Sequence, residues 1–392
     1  MDRIGIYGGT FNPPHVGHIR AAKYAIDALD LQKILLIPSC NAPHKTIPVN
    51  SPTPEQRCQM LALAAGEKME VCDTELRRGG TSFTFETVEQ LREQYPKKEL
   101  ILFMGTDMFL SFLTWREPQR ILQAASIGVF YRGEAGELEA IRAQKAKLEA
   151  MGARVYLVEN PVIPISSTQL RRMLLFRCAD PFLPEPVAAY IQINNLYGVA
   201  RNYRHLPMEE LERVVVSLLK PNRVSHVLGC RDTAAKLAER WGADKNDAAR
   251  AGLLHDVTKA LDGPLQLTLC REYGIVLSEF AQKNTKTLHA LTGSLVAERI
   301  FGENEQVVDA ICSHTTGKPN MTTLEKILYV ADYIEPNRDF PGVEALRELA
   351  FSDLDKALKL GLTMTIELLK EQKREISPES AEALAFLQEN GI

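Results

Sequence analysis

Two histidines near the start of the chain lie in a pattern that suits phosphate chemistry. His15 and His18 follow a glycine pair, Gly8 and Gly9, and a pair of prolines. A short apolar strand precedes the glycines, and apolar residues at helical spacing follow the histidines. Glycine lets a ligand approach the backbone closely, and a helix N-terminus offers unpaired N–H groups at the positive end of its dipole. The segment therefore predicts a site for nucleotide phosphates.

The common phosphate-binding motifs do not account for this segment. It contains no G-x-G-x-x-G pattern and no lysine followed by serine or threonine, as a P-loop requires. The plainer alternative is a histidine that caps a helix after an ordinary strand–helix turn. The surrounding run Gly-Gly-Thr-Phe-Asn-Pro-Pro disfavours that alternative, because a simple cap needs none of these residues.

The run from Gly5 to His18 resembles the signature of the nucleotidyltransferase superfamily, which includes nicotinate mononucleotide adenylyltransferase. Such a domain carries a second signature near its end, and the run from Ile165 to Arg171 matches it. The resemblance implies adenylyl transfer from ATP to nicotinate mononucleotide, with release of pyrophosphate. The Mg²⁺ that accompanies ATP is expected to be bound mainly by substrate oxygens, because this ion keeps several of its waters.

The resemblance assigns roles to residues along the first half of the chain. Four side chains are assigned to catalysis: His15, His18, Lys45 and Arg171. Ten residues are assigned to substrate or ATP: Gly8, Gly9, Thr10, Phe11, Thr84, Gly105, Asp107, Trp115, Ser167 and Thr168. Adenylyl transfer needs positioning and stabilisation of charge on phosphate oxygens, which histidines, cations and a helix N-terminus can supply.

Three of these residues are expected to recognise the nucleosides. Thr84 follows Phe83, which replaces the tyrosine of the family's Ser-Tyr-Thr segment next to the nicotinate. Asp107 follows an apolar strand and is expected to contact the ribose or the ATP side. Trp115 is expected to stack on the pyridine ring, since tryptophan is a good platform for a flat electron-poor ring. The alternative for Trp115 is a half-buried packing residue.

Histidines and acids in the second half of the chain follow an order that suits metal ligands: His226, His255, Asp256, His289, His314 and Asp332. A single His-Asp pair is a weak signal and is more often on the surface. Six such residues on predicted helices are a stronger signal, and one pair of them lies within an apolar helix from Ala248 to Asp256. Burying these groups is costly unless a cation compensates them. Imidazoles with carboxylates suit Fe, Mn or Co.

This half of the chain resembles the HD-domain phosphohydrolases over residues 208–392. The segments around His255, His314 and Asp332 resemble the branch that hydrolyses diadenosine tetraphosphate symmetrically to two ADP. The resemblance implies two divalent metals: one on His226, His255, Asp256 and Asp332, the other on Asp256, His289 and His314. Two such ions about 3.5–4 Å apart can clamp phosphoryl oxygens. Lys259, Thr315 and Arg338 are then candidate phosphate contacts, with a solvated helix face as the alternative for Lys259.

The expected substrates are thus ATP, nicotinate mononucleotide and diadenosine tetraphosphate, in a bifunctional enzyme. The HD half has two alternatives. It would act on other nucleotides or guanosine alarmones, or it would bind nucleotides as a regulator without turnover. For the first half, the alternative is adenylyl transfer to another phosphate such as phosphopantetheine. The native metal, the oligomeric state and any coupling of the halves stay open.

The elements that must position these residues fall into two groups. Short apolar strands alternate with helical segments in the first half, at residues 4–7, 34–37, 69–72, 100–104, 126–131 and 154–158. This predicts an α/β doubly wound parallel sheet of Rossmann-like type over residues 1–200. Almost all later segments have helical periodicity, which predicts an all-α HD domain over residues 206–392. A short polar connector over residues 199–207 is expected between them.

Composition limits the class of protein. The chain has 392 residues, 45% hydrophobic and 24% charged, which is typical of globular domains with full cores. A net charge of −4 without a basic run argues against nucleic acid as a partner. No apolar run has the ~18 residues that a membrane span needs. The seven scattered cysteines and the lack of a signal-like start favour reduced thiols and a cytoplasmic location.

Overall fold

The computed structural model describes residues 2–40, 51–131, 136–160, 163 and 165–392. The chain divides into two compact units, Met1–Ala200 and Arg201–Ile392. Each unit is described by itself.

The first unit is built on a six-stranded, all-parallel sheet in the order β3-β2-β1-β4-β5-β6. The strands are β1 Arg3–Gly9, β2 Leu31–Pro38, β3 Met69–Val71, β4 Glu99–Gly105, β5 Ser126–Tyr131 and β6 Val155–Glu159. The helices are α1 Val16–Leu29, α2 Pro54–Ala64, α3 Thr74–Arg78, α4 Thr84–Gln94, α5 Thr106–Leu110, α6 Pro118–Ala124, α7 Glu137–Ala150, α8 Ser167–Leu175 and α9 Glu185–Ile193. The predicted Rossmann-like fold is confirmed.

The sheet is apolar on both faces because helices cover both. Six of the seven residues of β4 are buried, and the four residues Ile34–Ile37 of β2 are as well. Such continuous apolar strands are typical of parallel sheets. Buried side chains form two clusters, one containing Ile4 and Ile6 and the other containing Phe11 and Ile34.

Strand β1 lies at the point where the strand order reverses. It pairs with β2 on one side and with β4 on the other. Ligands of open α/β sheets bind outside the carboxyl ends of the strands at this switch point. Gly8 and Gly9 end β1 there, and Gly9 is in register with Pro38 at the end of β2.

The second unit is helical, and no residue from 201 to 392 lies in a strand. Its helices are α10 Met208–Leu218, α11 Val224–Trp241, α12 Lys245–Leu254, α13 Gly263–Glu272, α14 Glu279–Lys283, α15 Leu288–Val296, α16 Glu305–Ser313, α17 Thr323–Ile334, α18 Val343–Ser352, α19 Leu354–Glu371 and α20 Pro378–Glu389. A π-helical turn, Ala297–Phe301, continues α15. Helices α11, α12, α15, α16 and α17 surround the unit's centre. The predicted all-α domain is confirmed.

One helix ends earlier than its sequence pattern predicts. The apolar run indicates a helix through Asp256, but α12 ends at Leu254 and His255 is its C-cap. The backbone then makes i→i+3 hydrogen bonds, such as Val257 N–H to the Leu254 carbonyl at 3.0 Å and Lys259 N–H to the Asp256 carbonyl at 2.9 Å. These tighter turns replace the last α-helical turn. The prediction of a His-Asp pair inside the helix was therefore wrong.

The segment expected to be a polar connector packs more than its composition indicates. Just before this segment, Leu196–Gly198 form a 3₁₀ turn that belongs to the first unit. Tyr203 and Leu206 are buried in the second unit, and His205 donates its backbone N–H to the Phe301 carbonyl at 2.7 Å. Within the described residues, no helix has the length and apolarity required to cross a membrane.

Candidate active sites

The loop between β1 and α1 brings the two predicted histidines together. His15 precedes the first residue of α1, and its ring stacks on that of His18 with centroids 3.6 Å apart. The His15 backbone N–H donates to His18 Nδ1 at 3.2 Å, so the proton of a neutral His18 ring is on Nε2. Gly17 permits this stack, because a Cβ there would lie 3.0 Å from His15 Nδ1.

Burial gives His15 an electrostatic character different from that of a surface histidine. The His15 side chain is 5% exposed, and desolvation lowers the pKa of His15 to about 4. Its Nδ1 atom is buried without a hydrogen-bond partner among the described residues. A Cβ at Gly8 would meet no atom within 4 Å, so the strand end beside the histidines is open. The loop therefore offers a neutral imidazole and free backbone space to an anionic ligand.

The second predicted motif is attached to the first. Arg171 on α8 donates to the Asn12 carbonyl at 2.8 Å and to Thr168 Oγ1 at 3.1 Å. Ser167, the first residue of α8, donates to the Pro13 carbonyl at 3.2 Å. The N-terminus of α8 and the histidine loop therefore meet, although more than 150 residues separate them in the chain.

The remaining predicted residues of this unit lie along the same end of the sheet or outside the described residues. Thr84 is in the first turn of α4, Gly105 ends β4, and Asp107 is exposed in the first turn of α5. Trp115 is half-buried, with its ring centroid 5.4 Å from that of Phe112. This position fits a packing residue and leaves part of the ring open. Lys45 lies outside the described residues.

The six predicted metal ligands of the second unit converge on one buried cluster. Asp256 is at its centre, 1% exposed. Its Oδ2 lies 3.6 Å from His255 Nε2 and 3.7 Å from His226 Nε2. Its Oδ1 lies 3.4 Å from His289 Nε2 and 4.0 Å from His314 Nε2. The two oxygens of one carboxylate thus face two different histidine pairs.

Asp332 completes the first of these pairs. Its Oδ1 lies 3.2 Å from His226 Nε2 and 3.9 Å from His255 Nε2. Two groups of three side chains therefore have ligand atoms within 4.8 Å of one another: His226, His255 and Asp332, and His255, Asp256 and His314.

All four histidines turn the same nitrogen towards the cluster. The Nδ1 atoms of His255, His289 and His314 lie 2.7–2.8 Å from backbone carbonyls in their own turns. A carbonyl only accepts, so each Nδ1 carries the proton and each Nε2 presents a lone pair. His226 differs, because its Nδ1 lies 3.1 Å from a carboxylate oxygen of Glu335.

The electrostatics of the cluster suit cations. Burial lowers the pKa of His314 to about 4 and lowers the pKa values of His255 and His289 as well. For Asp256, burial opposes ionisation but is outweighed by His255 and Lys259, so its pKa lies below the ordinary range. Among the described residues, Asp256 Oδ1 and His314 Nε2 are buried without a hydrogen-bond partner, although Lys259 Nζ forms an ion pair with Asp256 Oδ1 at 3.5 Å. Neutral imidazoles around ionised carboxylates fit a divalent metal set, because buried acceptors of this kind are costly unless a cation compensates them.

Three basic side chains surround the cluster. Lys259 Nζ lies 2.7 Å from His289 Nε2 and 3.5 Å from Asp256 Oδ1. Arg338 donates to Asp332 Oδ1 at 2.6 Å and to the Asp332 carbonyl at 2.8 Å. Arg223 contacts Asp256 Oδ2. Thr315 follows His314, and its hydroxyl is buried without a partner among the described residues.

Comparison with known proteins divides the chain in the same way. A family model for cytidylyltransferase-like proteins matches residues 6–173, and one for the HD domain matches residues 223–337. The Borreliella burgdorferi protein named "probable nicotinate-nucleotide adenylyltransferase" is 34% identical over 198 residues, which cover 50% of this chain and 96% of that protein. The symmetrical bis(5'-nucleosyl)-tetraphosphatase of Halalkalibacterium halodurans is 41% identical over 170 residues, 42% of this chain and 90% of that protein.

The first half of the chain belongs to the nicotinate-nucleotide adenylyltransferase family, and the second half to the HD-domain tetraphosphatase family. A solved structure of an HD superfamily hydrolase from Clostridium acetobutylicum, described as involved in NAD metabolism, is 37% identical. It covers 47% of this chain and 98% of that chain, with a TM-score of 0.46. The two units are called the adenylyltransferase unit and the HD unit below.

The adenylyltransferase unit contains two supporting residues that the sequence did not indicate. Arg57 on α2 is fully buried and donates to the carbonyls of Thr10 at 2.6 Å and Ser39 at 2.7 Å. Tyr197 donates its hydroxyl to Asn12 Oδ1 at 2.7 Å. Both fix the loop that carries the histidines. An arginine on a helix and a tyrosine at a domain end have no local signal for such contacts.

The HD unit also contains a supporting residue that the sequence did not single out. Glu335 is 1% exposed and holds His226 through one oxygen. Its other oxygen accepts from the Asn337 backbone N–H and side-chain amide, both at 2.8 Å. The helix of His226 has Gly229 at the crossing, where a Cβ would lie 2.4 Å from the carboxylate. Glu335 stands between two residues that the sequence indicates, Asp332 and Arg338, and this proximity is its only local signal.

Proposed function

We propose that the adenylyltransferase unit transfers an adenylyl group from ATP to nicotinate mononucleotide. The observation that carries the proposal is the stacked pair His15 and His18 at the N-terminus of α1, beside the switch point of the sheet. The substrate class comes from the family, whose members carry the adenylyltransferase name.

In this reaction a phosphate oxygen of the mononucleotide attacks the α-phosphorus of ATP, and pyrophosphate leaves. The Nε2–H of His18 would donate to a phosphate oxygen on which charge develops. The α8 N-terminus and Arg171 would hold the triphosphate, and Arg57 would keep the loop in place through its carbonyls. Such fixed donors act by stabilising charge and need no covalent step. Trp115 would supply the platform for the pyridine ring.

The test is formation of nicotinate adenine dinucleotide from nicotinate mononucleotide, ATP and Mg²⁺. His18→Ala is expected to lower kcat about a hundredfold with a smaller change in KM, because its contact strengthens as charge develops. Trp115→Ala is expected to raise KM for the mononucleotide and leave KM for ATP unchanged. Normal turnover by His18→Ala would remove the catalytic assignment, and preference for phosphopantetheine would replace the substrate.

We propose that the HD unit hydrolyses diadenosine tetraphosphate to two ADP with two divalent metals. The observation that carries the proposal is Asp256, whose two oxygens face two separate histidine pairs as a bridging ligand would. His226, His255 and Asp332 would hold one ion, and His289 and His314 the other. Two divalent ions held by these residues would supply Lewis acidity and charge neutralisation at a phosphoryl group.

The residues around the cluster would orient the ligands and the substrate. Backbone carbonyls keep the proton on Nδ1 of three histidines, so their Nε2 atoms stay available as ligands at neutral pH. The Glu335 carboxylate accepts from Nδ1 of His226, which leaves its Nε2 turned towards the cluster. Lys259 would bind the phosphate chain, and Thr315 would offer a hydroxyl. Hydrolysis adds one water across a bridging P–O–P bond, and symmetric products require attack next to the central bridging oxygen.

Product chromatography with the metal-loaded full chain tests this proposal. ADP alone is expected, and AMP with ATP would refute symmetric cleavage. Turnover of a guanosine alarmone and not of the dinucleotide would favour the first alternative, and nucleotide binding without turnover would favour a regulator. Asp256→Ala is expected to lose both metals and activity, whereas His289→Ala is expected to lose mainly the second metal. One metal per chain at full activity would contradict the two-metal site.

A further inference from the structure

Three buried polar side chains of the HD unit form a closed ring of hydrogen bonds: Thr258, Gln266 and Thr292. Thr258 and Thr292 are 0% exposed, and Gln266 is 3% exposed. They come from three different segments, because Thr258 lies in the turns after α12, Gln266 lies on α13 and Thr292 lies on α15. Burying polar groups is costly unless they are hydrogen-bonded, so this ring is a specific feature of the core.

The bonds of the ring run in one direction. Gln266 donates its side-chain amide to the Thr258 carbonyl at 2.8 Å, because a carbonyl only accepts, and this turns Gln266 Oε1 towards Thr292. The Thr292 hydroxyl donates to that oxygen. Thr292 Oγ1 can then accept from the Thr258 hydroxyl, 2.8 Å away. Each group donates to the next, and hydrogen bonds arranged in this way polarise and strengthen one another.

The ring joins the two backbone segments that carry Asp256 and His289. Thr258 stands two residues after Asp256, and its Oγ1 lies 3.2 Å from the His289 carbonyl as well as 2.8 Å from Thr292 Oγ1. Both acceptors belong to α15, on which Thr292 stands three residues after His289. Gly293 permits the close approach, since a Cβ there would lie 3.2 Å from the His255 carbonyl. The ring therefore sets the separation between the turn of Asp256 and the helix of His289.

This separation concerns one of the two proposed ligand sets. Asp256 Oδ1 lies 3.4 Å from His289 Nε2, so the two side chains meet across the segments that the ring joins. His226 and Asp332 lie on α11 and α17. Within the described residues, the hydrogen bonds of the ring do not extend to either of these helices. A change in the ring should therefore move His289 and leave His226 and Asp332 in place.

We propose that Thr258, Gln266 and Thr292 are positioning residues for His289, and that they determine the affinity of the second metal ion without binding it. The proposal rests on the proposed two-metal site for the role of His289. Residues that orient metal ligands change metal affinity about tenfold to a hundredfold when they are altered, although they do not touch the metal. Removing one hydroxyl leaves buried partners without hydrogen bonds, and that cost favours a shift of α15 away from Asp256.

Mn²⁺ titration of the full chain without nucleotide, followed by electron paramagnetic resonance, tests this role. Two Mn²⁺ ions bridged by a carboxylate couple magnetically, whereas a single ion gives an isolated-ion spectrum. Thr292→Val removes the hydroxyl and keeps the shape of the side chain. It is expected to weaken binding of the second ion about tenfold to a hundredfold and to leave the affinity of the first unchanged. At intermediate Mn²⁺ concentration its spectrum should therefore be that of an isolated ion.

Three further variants complete the test. Thr292→Ser keeps the hydroxyl and is expected to retain the coupled pair. Gln266→Met interrupts the ring at a second position and is expected to act as Thr292→Val does, with circular dichroism to show that each variant folds. Thr363→Val on α19 is the matched control, because the Thr363 hydroxyl donates to the Lys359 carbonyl of its own helix at 2.8 Å. It is expected to bind both ions as the wild type does.

The outcomes separate this inference from the proposed function. Wild-type affinity for both ions in Thr292→Val and Gln266→Met would overturn the positioning role and leave the two-metal site intact. Equal weakening of both ions, or loss of the second ion in Thr292→Ser as well, would show a general structural role and would also overturn it. A wild type that binds a single ion would overturn both proposals. Selective loss of the second ion, in a chain whose wild type does not cleave the dinucleotide, would uphold the positioning role and refute the hydrolysis.

Discussion

His15 shows how burial selects a protonation state at a single residue. Its ring is almost fully enclosed and lies on His18, and desolvation lowers the pKa of His15 to about 4. Below pH 6.5, the ordinary pKa of histidine, His15 is protonated in the unfolded chain but stays neutral in the folded chain until about pH 4. His15 therefore destabilises the fold as pH falls from about 6.5 to about 4, and adds no further pH dependence below that window.

This gives a prediction for a fragment of residues 1–200, which comprises the first compact unit. The difference in unfolding free energy between wild type and His15→Asn is expected to change by roughly 3 kcal/mol between pH 7 and pH 4, because one pKa unit is worth about 1.4 kcal/mol. On acidification, the wild type is expected to lose more unfolding free energy than His15→Asn. Urea titrations at several pH values measure the unfolding free energy of each protein. The contributions of carboxylates present in both proteins cancel in the difference. Parallel pH profiles would show that His15 is not desolvated.

The sequence indicates the predicted metal ligands better than it indicates the residues that hold the site residues in place. His255 and Asp256 are adjacent, and other histidines and an aspartate occur before and after them, so their suitability as metal ligands can be recognised from the sequence. The partner of His226 is Glu335, 109 positions away, and Arg57 reaches carbonyls 18 and 47 positions away. Contacts of this kind depend on how helices pack, and no local pattern carries that information.

At the scale of elements, the glycine on α11 has a specific packing role. Gly229 lets the Glu335 carboxylate cross the helix and reach His226, which lies three residues earlier. Glycine in a helix interior costs up to about 1 kcal/mol relative to alanine, so its presence needs a packing reason. Arg347 on α18 holds the same loop, through the carbonyls of Glu335 at 3.0 Å and Arg338 at 2.8 Å.

Gly229→Ala is therefore expected to weaken the metal site that contains His226. The new Cβ would overlap the Glu335 carboxylate at 2.4 Å, and His226 would lose the acceptor that orients its ring. Metal affinity is expected to fall about tenfold to a hundredfold at this site. The measurement is metal content after dialysis against a weak chelator, with circular dichroism to show an intact fold.

Gly361→Ala on α19 is the matched control for this substitution. Its Cβ would approach only the edge of the Tyr329 ring, at 3.3 Å, and both metals are expected to remain. A second variant, Glu335→Gln, keeps the shape of the side chain and removes its charge. Full retention of metal by both Gly229→Ala and Glu335→Gln would contradict the orienting role.

The strands of the adenylyltransferase unit were predictable because each is an apolar run between turn residues. All six predicted strands overlap the observed ones, and β5 has the predicted bounds, Ser126–Tyr131. The end of α12 was not predictable, since the apolar pattern continues past Leu254 while the backbone tightens to i→i+3 bonds. Periodicity reports which side chains are buried and does not report which carbonyl accepts each N–H.

At the scale of the whole molecule, the boundary between the units determines which fragments fold. We propose that fragments 1–200 and 201–392 fold alone and keep their separate activities, since each contains its own core and its own set of motifs. Solubility, circular dichroism and the two activity assays check this. If either fragment unfolds while the full chain does not, the units depend on each other.

The fragment that begins at residue 206 is expected to be less stable than the one that begins at residue 201. It lacks the Tyr203 ring, whose centroid lies 6.4 Å from that of Phe301, and the hydrogen bond from the His205 N–H to the Phe301 carbonyl. It also lacks Arg201, which pairs with Glu210. A buried aromatic ring and one hydrogen bond together contribute about 2 kcal/mol, and their loss lowers Tm by about 4–8 °C in a domain of this size.

Thermal melts of the two fragments at equal concentration measure the difference, with Arg201→Ala in the longer fragment as the control for the exposed ion pair. Equal Tm values would show that residues 201–205 are the loose connector that their composition indicates, because a segment that contributes no stability can be removed without effect.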